Sequence, residues 1–202
     1  MTAPTLLSAD DQLTRFVGLM DVVATFYRAN LNNPKKPMDI SREDVTELFR
    51  SLNQHHVQYL LVGGMATALH GYVRATEDLD LWIRVGNENK AGLITALEEN
   101  DVAGAIYLKD VPLLFGWTSV VAGKRGFTLD MGHALKAFSE LDFDACYERA
   151  VDASFDGVPF KVIHLNDLIT EKRATGRPKD QIDVDELTKL TKRNTDSTDE
   201  TD

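Results

Sequence analysis

Two carboxylates, Asp78 and Asp80, are the residues whose type and spacing point most directly to chemistry. They lie in the run Asp-Leu-Asp-Leu-Trp-Ile-Arg at 78–84, whose alternation of polar and apolar side chains predicts a β-strand with one buried face. On such a strand both carboxylates leave the same face, with Cα atoms about 6.5–7 Å apart. They repel each other unless they are protonated or share a cation, and Mg²⁺ prefers carboxylate oxygens. The pair therefore predicts a divalent-metal site.

The spacing by itself is weak evidence, because the runs at 142–144 and 183–185 repeat it in polar, helical or loop contexts where a solvated surface is expected. What distinguishes Asp78 and Asp80 is the preceding segment. An apolar run at 57–62 predicts a short strand covered on both faces, which ends at Gly63-Gly64 before a short helix. Backbone amides at that helix start suit phosphate oxygens, so donors for phosphate adjoin carboxylates for metal.

The remaining pattern predicts one mixed α/β domain over 39–190, with a small mixed sheet flanked by helices. Further helices are expected at 41–55, 87–100, from 166 and at 180–190, and strands at 118–121 and 127–131 form a hairpin. Asp156-Gly157 marks a second hairpin between 150–155 and 158–163. Residues 1–38 read as a helical extension that packs on the domain, forms a homodimer arm or docks a partner. Residues 191–202 read as a disordered acidic tail.

Composition limits the class of protein. The chain has 202 residues, of which 43% are hydrophobic, and its formal net charge of −10 disfavours binding of nucleic acid or anionic membrane through the overall field. A local basic patch at Lys172, Arg173, Arg177 and Lys179 could still meet RNA phosphates. A single cysteine, the absence of a signal-peptide pattern and the absence of an apolar run of about 20 residues favour a cytoplasmic protein without membrane contact.

The runs Leu-Val-Gly-Gly-Met-Ala at 61–66 and His-Gly-Tyr-Val-Arg-Ala-Thr-Glu-Asp-Leu-Asp-Leu at 70–81 resemble the signature of minimal nucleotidyltransferases of the DNA polymerase β superfamily. The resemblance is closest to the branch of the AbiE-type toxins and extends over 57–190. It implies the nucleotidyltransferase fold. Many superfamily members carry Ser where this chain has Gly64, so backbone amides would have to hold phosphate, aided by Thr67.

The resemblance also implies roles for particular residues. Asp130, which lies among strand-like apolar neighbours, would be the third metal carboxylate beside Asp78 and Asp80, together holding two Mg²⁺ or Mn²⁺ ions. Nucleotide would be bound by the residues Gly63, Gly64, Thr67, Arg74, Lys172 and Lys179. Arg74 would contact phosphate, lock its loop through Asp78 or form a structural ion pair. Trp82 is either a core aromatic or a base-stacking surface.

The resulting hypothesis is a metal-dependent nucleotidyltransferase that moves a nucleoside monophosphate from an NTP such as ATP to an acceptor hydroxyl. The acceptor would be tRNA or a protein, in a toxin with a cognate antitoxin. An alternative is an antibiotic nucleotidyltransferase that modifies a small cationic aminoglycoside, which the acidic chain would attract. A second alternative is a non-catalytic protein that binds nucleotide or a partner.

Overall fold

The computed structural model of the protein describes residues 42–74, 76, 78–110 and 117–196. The predicted helical extension at 1–38, and with it the proposed dimer arm, lies outside these residues. Among the described helices, none combines the length and the apolar character that crossing a membrane requires.

A six-stranded mixed sheet forms the centre of the molecule, with strand order β3-β4-β2-β1-β6-β5. Strand β2 runs parallel to β4 and β1 runs parallel to β6, whereas the other three neighbouring pairs are antiparallel. This confirms the predicted small mixed sheet. The strands are β1 Tyr59–Leu61, β2 Asp78–Ile83, β3 Trp117–Ala122, β4 Phe127–Gly132, β5 Val151–Phe155 and β6 Val158–Val162.

Six helices and two 3₁₀ turns, at Ala105–Asp110 and Glu140–Asp142, accompany the sheet in the described residues. The helices are α1 Arg42–Gln54, α2 Gly63–Leu69, α3 Asn87–Glu99, α4 Phe143–Glu148, α5 Leu165–Thr175 and α6 Pro178–Asp196.

Strand β1 lies between β2 and β6 with all three of its residues buried, which explains its uninterrupted apolar sequence.

Local sequence signals explain several element boundaries. Asp156 and Gly157 have φ values of 50° and 75° in the turn between β5 and β6, the backbone conformation that an Asp-Gly hairpin requires. Helix α5 ends at Thr175 and is capped by Gly176, which has a left-handed conformation. Helix α6 begins two residues before the predicted helix and continues to Asp196, so it enters the segment expected to be a disordered tail. The last six residues of that tail lie outside the described part of the chain.

Candidate active site

The three aspartates singled out by the sequence meet at one end of the sheet. Because β2 and β4 are parallel neighbours with Asp80 opposite Asp130, their side chains leave the same face side by side. Asp78 joins them from two residues earlier on β2. One carboxylate oxygen from each of the three residues lies within 4.8 Å of the other two.

Each of these carboxylates accepts a hydrogen bond from a different part of the chain. The Thr76 hydroxyl donates to Asp78 Oδ1 over 3.0 Å, and the backbone N–H of Gly64 donates to Asp80 Oδ2 over 3.4 Å. The hydroxyl of Ser119, which lies opposite Asp130 in the β3–β4 pair, donates to Asp130 Oδ1. The sequence analysis did not single out Ser119. The predicted hairpin contained the signal, because pairing 118–121 with 127–131 brings this serine near Asp130.

Burial and the neighbouring carboxylates both disfavour the charged form of Asp80. Burial, together with the negative charges of Asp78 and Asp130, raises the pKa of Asp80 to about 7, although the Gly64 N–H and the Lys172 ammonium act in the opposite direction. Three converging carboxylates with no common cation are therefore unfavourable in their fully charged state. A hard divalent ion would remove this repulsion, so the donor set fits Mg²⁺ or Mn²⁺.

The Gly63-Gly64 turn touches the carboxylate cluster so closely that side chains are excluded. Gly63 has φ +64°, and a Cβ there would lie 1.9 Å from Asp80 Oδ2. A Cβ on Gly64 would lie 2.3 Å from the Thr76 hydroxyl oxygen. This contact gives a physical reason for glycine at position 64, where Ser was the expected alternative.

A cleft of about 470 Å³ opens over the carboxylate cluster. One wall is formed by the Gly63-Gly64 turn, by Arg74 and by residues from α5 and the start of α6. The cleft is also lined by Trp117 from β3 and by the segment 134–136 that follows β4. This segment adjoins α5, because the backbone N–H groups of Lys136 and Ala137 donate to the carboxylate of Glu171. The wall formed by the turn, Arg74 and the two helices is rich in charge, whereas Trp117 and 134–136 add aromatic and aliphatic surface with one lysine.

A buried ionic network underlies the charged wall. Lys172, only 4% exposed, lies 2.7 Å from Asp183 Oδ2 and 3.4 Å from Asp180 Oδ1. Arg74 donates from Nε and Nη2 to the two oxygens of Asp183 over 2.6 and 2.8 Å, and Arg177 Nε lies 2.6 Å from Asp180 Oδ2. The network joins the loop before β2 to both C-terminal helices.

The network corrects the expectation for Asp183 and shows an ion pair for Arg74. Asp183 was expected to be a solvated surface residue, but its carboxylate is 0% exposed because Arg74 and Lys172 both bind it. Burial alone would raise the pKa of Asp183, and the hydrogen bonds from these two cations outweigh burial and hold the pKa below its ordinary value. Arg74 forms a structural ion pair with Asp183, and because it also lines the cleft, its contact with phosphate stays a prediction.

Comparison with protein families gives the chain an assignment. Residues 41–197 match the family described as nucleotidyltransferase of unknown function (DUF6036). The chain belongs to this nucleotidyltransferase family. The match excludes the first 40 residues and includes every element of the described structure.

Two solved structures have a similar fold. One is an antigenic nucleotidyltransferase-like protein from Paracoccidioides brasiliensis, with 18% identity, a TM-score of 0.47 and 74% of each chain covered. The other is the lincosamide antibiotic adenylyltransferase LnuA bound to lincomycin, with 14% identity, a TM-score of 0.49, and 75% of this chain and 98% of that chain covered. No curated protein sequence matches the chain.

The cleft of this nucleotidyltransferase family member contains most of the predicted site residues. Gly63, Gly64, Arg74, Lys172 and Lys179 line it together with the three aspartates. Lys179 is exposed on the first turn of α6, whereas Lys172 is buried.

Two residues that the sequence analysis considered for the site, Thr67 and Trp82, lie away from the cleft. Thr67 is fully buried and its hydroxyl donates to the carbonyl oxygen of Gly63 over 2.9 Å, so the structure does not bring it to the cleft wall. Trp82 is a core aromatic: it is fully buried, donates from Nε1 to the carbonyl oxygen of His133 and packs against Phe143. Trp117, which the sequence analysis did not consider, is the tryptophan that lines the cleft.

Proposed function

We propose that the protein transfers a nucleoside monophosphate from an NTP to an acceptor hydroxyl and releases pyrophosphate. The observation that carries this proposal is the convergence of Asp78, Asp80 and Asp130 beside the Gly63-Gly64 turn, with oxygens within 4.8 Å of one another. Family membership supports the same reaction class. Asp78, Asp80 and Asp130 would hold two divalent ions, which when bound supply Lewis-acid polarisation of the phosphoryl and acceptor oxygens.

The protein's own groups orient the reactants and accept a proton. In the transfer, the acceptor oxygen forms a bond to the α-phosphorus while the bond from that phosphorus to the bridging oxygen breaks, and pyrophosphate leaves with the electron pair. We assign the acceptor's proton to the carboxylate of Asp130. Ser119 would hold that carboxylate in place through its hydrogen bond, and Thr76 would do the same for Asp78.

The charged wall of the cleft suits a triphosphate. On this wall three cations, Arg74, Lys172 and Arg177, bind two carboxylates, Asp180 and Asp183, and Glu171 of α5 is a third carboxylate, so the surplus positive charge comes from Lys179. The exposed ammonium of Lys179 lies at the cleft edge. Lys172 would act on phosphates through the field of the network, because its ammonium is already bound by Asp180 and Asp183.

For the acceptor we propose tRNA or a protein in the cytoplasm, with the protein acting as an AbiE-type toxin that a cognate antitoxin restrains. The resemblance of 61–66 and 70–81 to that branch supports this proposal. We expect ATP to be among the NTPs that the protein uses.

The test is an incubation of the full chain with Mg²⁺ and each of the four α-labelled NTPs, in separate mixtures with tRNA, total protein and aminoglycoside. We expect label in the tRNA or protein mixture, and loss of label with Asp78→Ala combined with Asp80→Ala. Asp142→Ala combined with Asp144→Ala is the matched control, because these exposed carboxylates have the same spacing outside the cleft. Full activity of the Asp78 and Asp80 double variant would exclude the assigned site.

A further inference from the structure

We propose that Trp117 is the stacking surface for the acceptor, and that the acceptor presents a nucleobase beside its reactive hydroxyl, as the 3′ end of a single-stranded RNA does. This inference rests on the proposed nucleotidyl transfer and names the substrate class for the acceptor half of the same cleft.

The ring of Trp117 is fixed and accessible. Its side chain lines the cleft, the residue is 41% exposed, and its indole N–H donates to the carbonyl oxygen of Ala134 over 3.1 Å. Opposite Trp117 in the β3–β4 pair is Gly132, where an added Cβ would lie 2.7 Å from the indole ring. Glycine at position 132 thus lets the ring lie against β4. An aromatic face held in this way loses little conformational freedom when a flat group stacks on it.

The order of the strands places Trp117 on the acceptor side. From the β3 edge of the sheet inward, the cleft residues lie in this spatial order: Trp117 on β3, Asp130 on β4, Asp78 and Asp80 on β2, and the Gly63-Gly64 turn after β1. The cationic network adjoins the Gly64 end, because Arg74 Nη1 would lie 3.5 Å from a Cβ on that glycine. Phosphates are expected at this end. Since the attacking and leaving oxygens lie roughly in line on opposite sides of the phosphorus, the acceptor approaches from the Trp117 end.

The chemistry around Trp117 favours a nucleic-acid end over a peptide. Lys136 is exposed, lines the same cleft and follows Ala134, which accepts the Trp117 N–H, by two residues, so the segment that holds the ring also carries a cation. An aromatic surface next to a cation is the combination by which proteins bind single-stranded nucleic acid, with the base on the ring and the phosphate at the cation. A terminal nucleotide also carries its base and its hydroxyl on one sugar, so both can reach Trp117 and Asp130 together.

The test measures binding without turnover. A short single-stranded RNA with a 3′ hydroxyl is titrated into the full chain at fixed salt, and ATP with Mg²⁺ is titrated separately. We expect Trp117→Ala to weaken RNA binding about 10- to 100-fold and to leave ATP binding unchanged. Trp117→Phe, which keeps a ring but loses the N–H donor, should retain most of the RNA affinity. Val121→Ala is the control, since Val121 is 63% exposed on the same strand and outside the cleft.

Each other outcome has a defined meaning. Unchanged RNA affinity in Trp117→Ala would overturn the inference, as would a loss of ATP affinity, which would make Trp117 the platform for the NTP base. Binding of a tyrosine-containing peptide that depends on Trp117, with RNA binding that does not, would overturn the nucleic-acid acceptor. If RNA binding depends on Trp117 but the wild type transfers no nucleotide to any acceptor, the proposed function fails and the stacking surface remains.

Discussion

Asp80 and Asp130 face each other as register partners on the adjacent parallel strands β2 and β4. The two residues are 50 positions apart in the sequence, and hydrogen bonding between the strands fixes their separation. With Asp78 two residues before Asp80, this single pairing brings three carboxylates together. The strand pairing is thus the element of the fold on which the proposed chemistry depends.

Gly63→Ala tests the close approach of the turn to Asp80. The new Cβ would need left-handed backbone at φ +64° and would overlap Asp80 Oδ2, so we expect a loss of about 2–4 kcal/mol in unfolding free energy and loss of stabilisation by Mg²⁺. Urea denaturation with and without Mg²⁺ measures both. Gly157→Ala is the matched control: at φ +75°, and with no atom beyond its chain neighbours within 4 Å of the added Cβ, this variant should lose only about 1 kcal/mol in unfolding free energy and keep the Mg²⁺ effect. Equal behaviour of the two variants would contradict the contact with Asp80.

The raised pKa of Asp80 predicts a pH-dependent stability of the metal-free protein. Because the pKa rises from 3.8 to about 7 on folding, this group stabilises the fold at low pH, and its contribution is lost as pH rises toward 7. Asp80→Asn removes this titration. The unfolding free energy of the variant, measured relative to that of the wild type in EDTA, should therefore rise by about 1–4 kcal/mol from pH 4 to pH 8. Urea denaturation across that range measures the difference. A difference that stays constant with pH would contradict the shifted pKa.

Asp183→Asn tests the buried network. Removing this carboxylate leaves Arg74 and Lys172 without the charge that both bind, so we expect a loss of about 3–5 kcal/mol in unfolding free energy. Asp152→Asn is the control, because Asp152 forms an exposed ion pair with Lys161 and its loss should remain below about 1 kcal/mol. Chemical denaturation of both variants at pH 7 is the measurement. Similar small losses would show that the network contributes no more than a surface pair.

Ser119→Ala tests the orientation of the third carboxylate. Without the hydroxyl, Asp130 loses its hydrogen-bond donor from β3, and we expect kcat to fall about 10-fold with a small change in KM for the NTP. Steady-state kinetics with the acceptor that takes up label in the incubation described above measures the two constants. Ser154→Ala, on strand β5 and outside the cleft, should leave both unchanged. An unaltered kcat in Ser119→Ala would remove Ser119 from the positioning of Asp130.

Short-range patterns predicted the elements that carry the site. Alternation at 78–84 indicated β2, the continuous apolar run indicated the buried central strand, and Asp-Gly indicated the β5–β6 hairpin, all of which the structure confirms. These features depend on neighbouring residues, whose backbone preferences and burial can be read locally.

Long-range partners were harder to predict. Asp183 was expected at the surface because its neighbours are polar, whereas its partner Arg74 lies 109 residues earlier, a contact that no local pattern encodes. The two tryptophans show the same limit. Both tryptophans lie in strands, but Trp82 is covered by Phe138 and Phe143 whereas Trp117 faces the cleft. Only the packing of later segments decides which ring is accessible.

The measurement that tests the central claim most directly is a crystal structure of the full chain soaked with Mn²⁺ and a non-hydrolysable NTP. We predict anomalous peaks for Mn²⁺ ligated by Asp78, Asp80 and Asp130, with the phosphates extending toward Gly63 and Gly64. Mn²⁺ bound elsewhere while these three carboxylates hold no metal, or nucleotide bound away from them, would contradict the assignment of the cluster as a nucleotidyltransferase metal site.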